Sequence, residues 1–266
     1  MDSAVVGNVE QGKNGGLTGS TLKMIAMVTM LIDHFAATVL TYMIMRAPDC
    51  FDATGRLRMS GLGGIYWVMR GIGRLAFPIF IFLLLEGFLH TRNRFRYIGR
   101  LLLFAAVSEI PFDFAFSLSE TSVRQGHIIE FTYQNVFFTL AIGLIVITAL
   151  EGIRVLPVET ILRVILFGGA IAMGTGLAYA MHTDYDALGV LAIVSAYLLR
   201  NKSKELRIAV PCLILSFSFW LELVALIDIL PVSFYNGERG WKLKWVFYLF
   251  YPVHLFILAG ICYLIF

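Results

Sequence analysis

Asp33 and His34 lie side by side near the middle of an apolar run from Leu22 to Met45. That run is long enough to cross a bilayer, so both side chains would sit near the midplane, where lipid cannot solvate them. A neutral imidazole tolerates that depth and exchanges a proton near pH 7, which suits His34 to general-base chemistry. Arg70 and Arg74 follow at i and i+4 on one helix face. Their mutual repulsion demands anions, either carboxylates from other helices or the phosphates of a bound ligand. Pro78 removes the amide that would have bonded the Arg74 carbonyl, so a bend is expected there, beside protein or a wet cavity. Pro111 sits between Glu109 and Asp113, and Pro252 precedes His254 by two residues. Three prolines that each adjoin ionisable groups suggest one shared polar cavity, although some buried charges in membranes only pair with one another.

The helices that carry these groups constrain them further. Asp33 shares its face with Thr29, Ala36 and Ala37, all small, so that face turns toward protein. His34 points about 100° away, so the two neighbours form no hydrogen-bonded dyad, and a carboxylate that orients His34 comes from another helix. Glu86 and His90 stand one turn apart, ahead of Arg92, Arg94 and Arg96, the last two read as a membrane anchor. Gln134 and Asn135 lie at the mouth of a later span, Asp184 and Asp186 read as helix caps, and Glu222 is deep enough to need a partner.

Hydrophobic residues make up 59% of the 266-residue chain, charged residues only 15%, and the mean hydropathy is +0.80. Such a composition cannot cover a soluble surface, so the chain reads as an all-α, polytopic transmembrane helical bundle. Cys212 and Cys262 sit inside apolar runs, far from Cys50, so neither a disulfide framework nor a metal site is expected. No basic block of the nucleic-acid-binding kind is present. Residues 1–20 are polar and Gly-rich without signal-peptide features and read as a flexible tail ahead of one helical domain over 21–266.

Apolar runs at 22–45, 65–89, 97–118, 135–151, 160–181, 186–199, 207–230 and 244–266 give about eight spans. The sixth is short, and in a seven-span variant it re-enters. With eight, basic residues favour both termini on the cytoplasmic side of an inner membrane, with Lys13, Lys23, Arg92, Arg94, Arg96, Arg100, Arg154, Arg163, Arg200, Lys202, Lys204 and Arg207 inside. Arg46, Arg56, Arg58, Arg124, Arg239, Lys242 and Lys244 then fall outside.

Several stretches together resemble the TraX family. They are Thr21-Leu22-Lys23 leading into Leu31-Ile32-Asp33-His34, then Gly73-Arg74-Leu75-Ala76-Phe77-Pro78-Ile79-Phe80, then Glu86-Gly87-Phe88-Leu89-His90-Thr91-Arg92-Asn93. Ser108-Glu109-Ile110-Pro111-Phe112-Asp113, Gln134-Asn135-Val136-Phe137-Phe138-Thr139-Leu140 and Tyr251-Pro252-Val253-His254-Leu255 complete the set, in the same order. The likeness runs from about residue 21 to 258 and omits the tail and the 46–64 loop. It implies an integral membrane acyltransferase like the F-pilin acetylase, with cytoplasmic acetyl-CoA as acyl donor. The acceptor it implies is an amino or hydroxyl group of a membrane or envelope partner, such as a pilin subunit or a glycan.

Acyl transfer needs a base, donors to an oxyanion and cations for the CoA phosphates. On that reading His34 is the base, Arg74 binds the anion or oxyanion, and Glu109, or else Asp33, orients His34 or neutralises Arg74. Arg70, Arg92 and Arg100 hold phosphates, Gln134 and Asn135 donate to the thioester or acceptor, and Glu86, Asp113 and His254 line the substrate site. Direct transfer needs fewer special features than an acetyl-histidine intermediate. Two other classes fit the same residues: a proton-coupled transporter using Asp33, His34, Arg74 and Glu109 as a relay, and a non-catalytic scaffold of pilus or envelope assembly.

Overall fold

The computed structural model describes residues 15–117, 133–242 and 244–265. Most of the expected tail, together with Lys13 and Arg124 of the charge count, lies outside them. All regular structure among the described residues is helical. The first helix, α1 (Gly19–Met45), begins where the Thr18 hydroxyl accepts the Thr21 amide. Directly after His34 it widens into a π-helical turn over Ala36–Leu40, a distortion that concentrates at functional positions. The Thr38 and Thr41 hydroxyls donate to the His34 and Ala36 carbonyls, at 2.6 and 2.9 Å.

Helix α2 (Gly61–His90) is interrupted at Arg74 and Leu75, whose amides bond three residues back to Gly71 and Ile72 at 3.2 Å. Pro78 has no amide for the Arg74 carbonyl, so the expected bend is present and falls on the arginine itself. Pro111 and Pro252, by contrast, sit inside unbroken helices, α3 (Arg94–Ser117) and the last, Lys244–Ile265.

Helices α4 (Val136–Arg154), α5 (Thr160–Ala180) and α6 (Asp186–Leu198) pack as a trio. Gly143 faces Ile193 and Gly174 faces Val146, and a Cβ at either glycine would collide with its neighbour. Small residues replace the hydrophobic effect as the means of close helix approach in lipid. The α6 helix begins beside the Gln134–Thr183 bridge and ends where Tyr197 and Arg200 meet Glu151 near the end of α4. It therefore runs beside α4 from the level of the Asp184–Tyr185 turn to the Glu151 end.

The seventh expected span, 207–230, is not a crossing. Helix α7 (Lys204–Leu215) has 12 residues and ends at Leu215 instead of continuing to residue 230. The chain then turns at residues 216–219 and returns as a 3-10 helix, Trp220–Asp228, and the short α8 (Ile229–Ser233). The Lys204 ammonium closes this hairpin by donating to the carbonyls of Ser233 and Tyr235 at 2.8 and 2.7 Å. Arg207 bonds Glu86 at 2.7 Å, and the hairpin packs on Leu22, Ala26, Ile79, Phe82 and Leu83 of the first two helices.

Residues 234–241 therefore return to the start of α1, where the Leu17, Gly19 and Ser20 amides bond the Phe234, Glu238 and Arg239 carbonyls. From there α9 (Lys244–Ile265) runs the length of the bundle, meeting His34 through His254 and Val39 through Leu258 and Cys262. Of the eight expected spans, 207–230 folds back on itself as a hairpin among the described residues. Five of the described helices are long and apolar enough to cross a membrane: Gly19–Met45, Gly61–His90, Val136–Arg154, Thr160–Ala180 and Trp245–Ile265. Because α9 starts beside Ser20 and then meets His34 and Val39 in turn, it runs in the same direction as α1 and puts Gly19 and Ile265 at opposite ends of the bundle, which corrects the expectation that both termini share a side.

The correction moves Arg239, Lys242 and Lys244 to the end that already holds the other basic clusters, leaving Arg46, Arg56 and Arg58 as the basic residues described at the opposite end. In a background without the native cysteines, Asn236→Cys should label from the same membrane face as Lys202→Cys, and Thr54→Cys from the other. Labelling of Asn236→Cys together with Thr54→Cys would restore 207–230 as a crossing.

Candidate functional site

Four charges from three segments meet where α2 breaks. Asp33 bridges both guanidiniums, bonding Arg70 at 2.7 Å and Arg74 at 2.9 Å. Glu222, from the returning 3-10 limb of the hairpin, bonds Arg74 at 2.8 Å. Two arginines against two carboxylates leave the group neutral, the condition under which charges persist in a low-dielectric bundle. Gly73 makes the arrangement possible, since a Cβ there would overlap the Asp33 carboxylate. Arg74 also donates through Nε to the Arg70 carbonyl at 3.2 Å, so its charge and most of its donors are committed. Arg70 makes one such bond and its side chain remains 25% exposed, so it keeps donors for a ligand.

His34, one residue on, turns away from the carboxylates as the helical repeat requires. Its Nδ1 lies 2.7 Å from Nε2 of His254, and its ring packs edge-on against Phe116 and Tyr251. No carboxylate among the described residues orients it.

His34, Asp33, Arg70 and Arg74 line a cavity of about 190 Å³ with Tyr185, Asp184 and several phenylalanines. A second cavity of about 490 Å³ opens among Lys23, His90, Arg100, Arg239 and Trp241 at the basic end. Met30, Phe80, Val136 and Tyr251 line both, so the two voids adjoin, and the groups around His34 look toward the basic end. The Tyr251 hydroxyl is buried, with the Val136 amide directed at its oxygen and no acceptor for its hydrogen among the described residues.

Several expected site residues lie elsewhere. Glu109 neither orients His34 nor meets Arg74; it accepts from the Asn135 side chain and amide. Asn135 is committed to structure, donating to the Ala105 carbonyl and capping α4 through Phe137. Gln134 joins His182 and Asp184 through backbone bonds, and neither it nor Asp113, buried on α3, lines the cavities. Glu86 does line the larger cavity, but its carboxylate also holds the hairpin through Arg207 and accepts from Tyr235 at 3.4 Å. Arg92 is exposed at the basic end and off both cavities, whereas Arg100 faces the larger one. Glu222, Tyr185 and Tyr251 are members that sequence reasoning did not place. For Glu222 the signal was a carboxylate too deep to stand alone.

A bundle of apolar helices enclosing a charge-neutral arginine–carboxylate group and a histidine on an internal cavity defines an integral membrane protein with a buried polar site. The family described as TraX protein matches residues 18–262, and the chain belongs to that family. It is also 27% identical over 260 residues to the probable fimbrial assembly protein FimC, serogroup H1, of Dichelobacter nodosus, an alignment covering 93% of this chain and 97% of that relative. No solved structure matches it.

Gly73→Ala forces Asp33 off the arginines and should lower stability by about 1–3 kcal/mol, the usual cost of overpacking. Thermal unfolding of the purified protein measures this, and an unchanged midpoint would mean that Asp33 does not depend on that close approach.

Proposed function

We propose that the protein is a membrane acyltransferase that passes an acetyl group from acetyl-CoA, entering at the basic end, to an acceptor amine in the smaller cavity. The observation that carries this reading is His34, one ring nitrogen held by His254 and its open edge on a cavity that adjoins a larger one mouthed by Lys23, Arg100 and Arg239. The positive-inside bias supports a cytoplasmic basic end in an inner membrane, where acetyl-CoA is made available. The larger cavity suits such a donor, with cations at the mouth for phosphates and Leu84, Leu101 and Leu140 along walls that take a slender chain.

In the reaction, the acceptor nitrogen attacks the thioester carbonyl while His34 takes the proton that the nitrogen loses. The carbonyl oxygen gains the negative charge and is met by the spare donors of Arg70 and the Tyr251 hydroxyl. The carbon–sulfur bond then breaks, the thiolate takes the proton from the His34 imidazolium, and an amide and free CoA thiol leave. Arg74 acts as the anchor that fixes Asp33 and Glu222, and thereby Arg70. Asp184 contributes a carboxylate that no arginine bridges among the described residues, a feature that favours an acceptor arriving as an ammonium over a neutral hydroxyl; Asp184 takes the ammonium proton, and the neutral amine then attacks. The fimbrial name of the FimC relative agrees with a pilin subunit as that acceptor.

Purified protein incubated with labelled acetyl-CoA and peptides bearing a free amino terminus should yield acetylated peptide by mass spectrometry. His34→Ala should lower turnover by about 10²–10⁴-fold, the contribution of a general base, while leaving the protein folded. Near-normal turnover in that variant removes His34 from the mechanism, and solute movement without any CoA dependence would favour a transporter.

A further inference from the structure

The His34–His254 contact carries more information than its length. The two ring planes differ by only 4° and their centroids are 5.0 Å apart, while the joining nitrogens are 2.7 Å apart. That centroid separation is what the bond plus the radius of each ring requires when both nitrogens lie on the line between the centres. The rings are therefore coplanar and edge to edge, joined by a straight in-plane hydrogen bond, and not stacked face to face. The direction of the proton follows from the far side of His254, whose Nδ1 lies 2.6 Å from the Phe250 carbonyl. A carbonyl only accepts, so His254 Nδ1 carries a hydrogen, and in the neutral ring Nε2 is left as the acceptor. His34 must then donate from Nδ1, and its own Nε2 is left with a lone pair. His254 is buried and lines neither cavity, whereas His34 lines the smaller one, so the edge that His34 offers to a ligand is the one away from His254.

We propose that His254 is a positioning residue: through the chain Phe250 carbonyl, His254, His34 it fixes His34 as the Nδ1–H tautomer, with Nε2 free to accept a proton inside the cavity. This rests on His34 being the base of the proposed transfer, and it gives a neutral imidazole the orienting task that a carboxylate performs in hydrolytic triads. The substitution of imidazole for carboxylate suits the setting, because Asp33 and Glu222 already balance the two arginines and Asp184 adds another carboxyl group to the same cavity, so one more anion beside His34 would have no counter-ion. When Nε2 takes a proton, the positive ring keeps its Nδ1–H bond to the His254 lone pair, which stabilises the cation without moving a second proton.

The test reads the tautomer and the kinetics separately. Protein labelled with 15N-histidine is examined near neutral pH in the wild type, His254→Gln and His254→Ala, with the His34 signals assigned from their loss in His34→Gln. The wild type should show His34 protonated at Nδ1. His254→Gln, whose side-chain oxygen can still accept from Nδ1, should keep that tautomer and keep turnover within about tenfold. His254→Ala should shift His34 toward protonation at Nε2 and lower kcat by about 100-fold, with KM for acetyl-CoA unchanged. His34 protonated at Nε2 in the wild type, or a His254→Ala protein with the wild-type tautomer and rate, would overturn the proposal. Because the spectra are taken without substrate, they decide the pairing whether or not the preparation transfers acetyl groups, so failure of the reaction and failure of the pairing are distinguishable.

Discussion

Charge neutrality at depth is the constraint on which this fold depends. Two guanidiniums one turn apart on α2 cannot remain in a low-dielectric bundle unless anions reach them, and Asp33 and Glu222 come from two other segments to do so. Each requirement shapes the backbone. Gly73 clears space for the Asp33 carboxylate, the helix loosens at Arg74 and Leu75, and the hairpin returns through the membrane as a 3-10 helix that carries Glu222. The re-entrant hairpin is thus tied to the site at its inner reach by Arg74 and at the basic end by Arg207 and Lys204.

With the arginines compensated, the groups left open to the cavity are those beside them. His34 sits on the same helix as Asp33 but on a different face, which separates the ion-pair network from the imidazole pair while keeping both on one cavity. Arg70 then differs from Arg74 in function although the two look alike in sequence. One is a partly exposed donor, and the other is a buried tie between helices.

Much of this was legible from residue type and spacing. The demand of Arg70 and Arg74 for anions, the protein-facing side of Asp33, the bend at Pro78 and the meeting of groups from separate helices all followed from helix geometry and desolvation. Glu109 was misassigned because sequence gives the depth of a carboxylate but not its direction, and Asn135 turned out to hold it. The 207–230 run was read as a crossing because its hydropathy alone resembles one. The cues against it were the Ser216-Phe217-Ser218 turn at its middle and two carboxylates, Glu222 and Asp228, in its second half. The His34–His254 pair joins residues 220 positions apart, and no local pattern announces it.

The central claim is that a donor entering among the basic residues reaches His34 through the two adjoining cavities. Cryo-electron microscopy of the protein with an unreactive thioether analogue of acetyl-CoA tests it most directly. The account predicts phosphate density against Lys23, Arg100 and Arg239, with the acyl end within hydrogen-bonding reach of His34. Analogue bound only at the opposite end, or seated at the basic mouth with its chain leading away from His34, would contradict it.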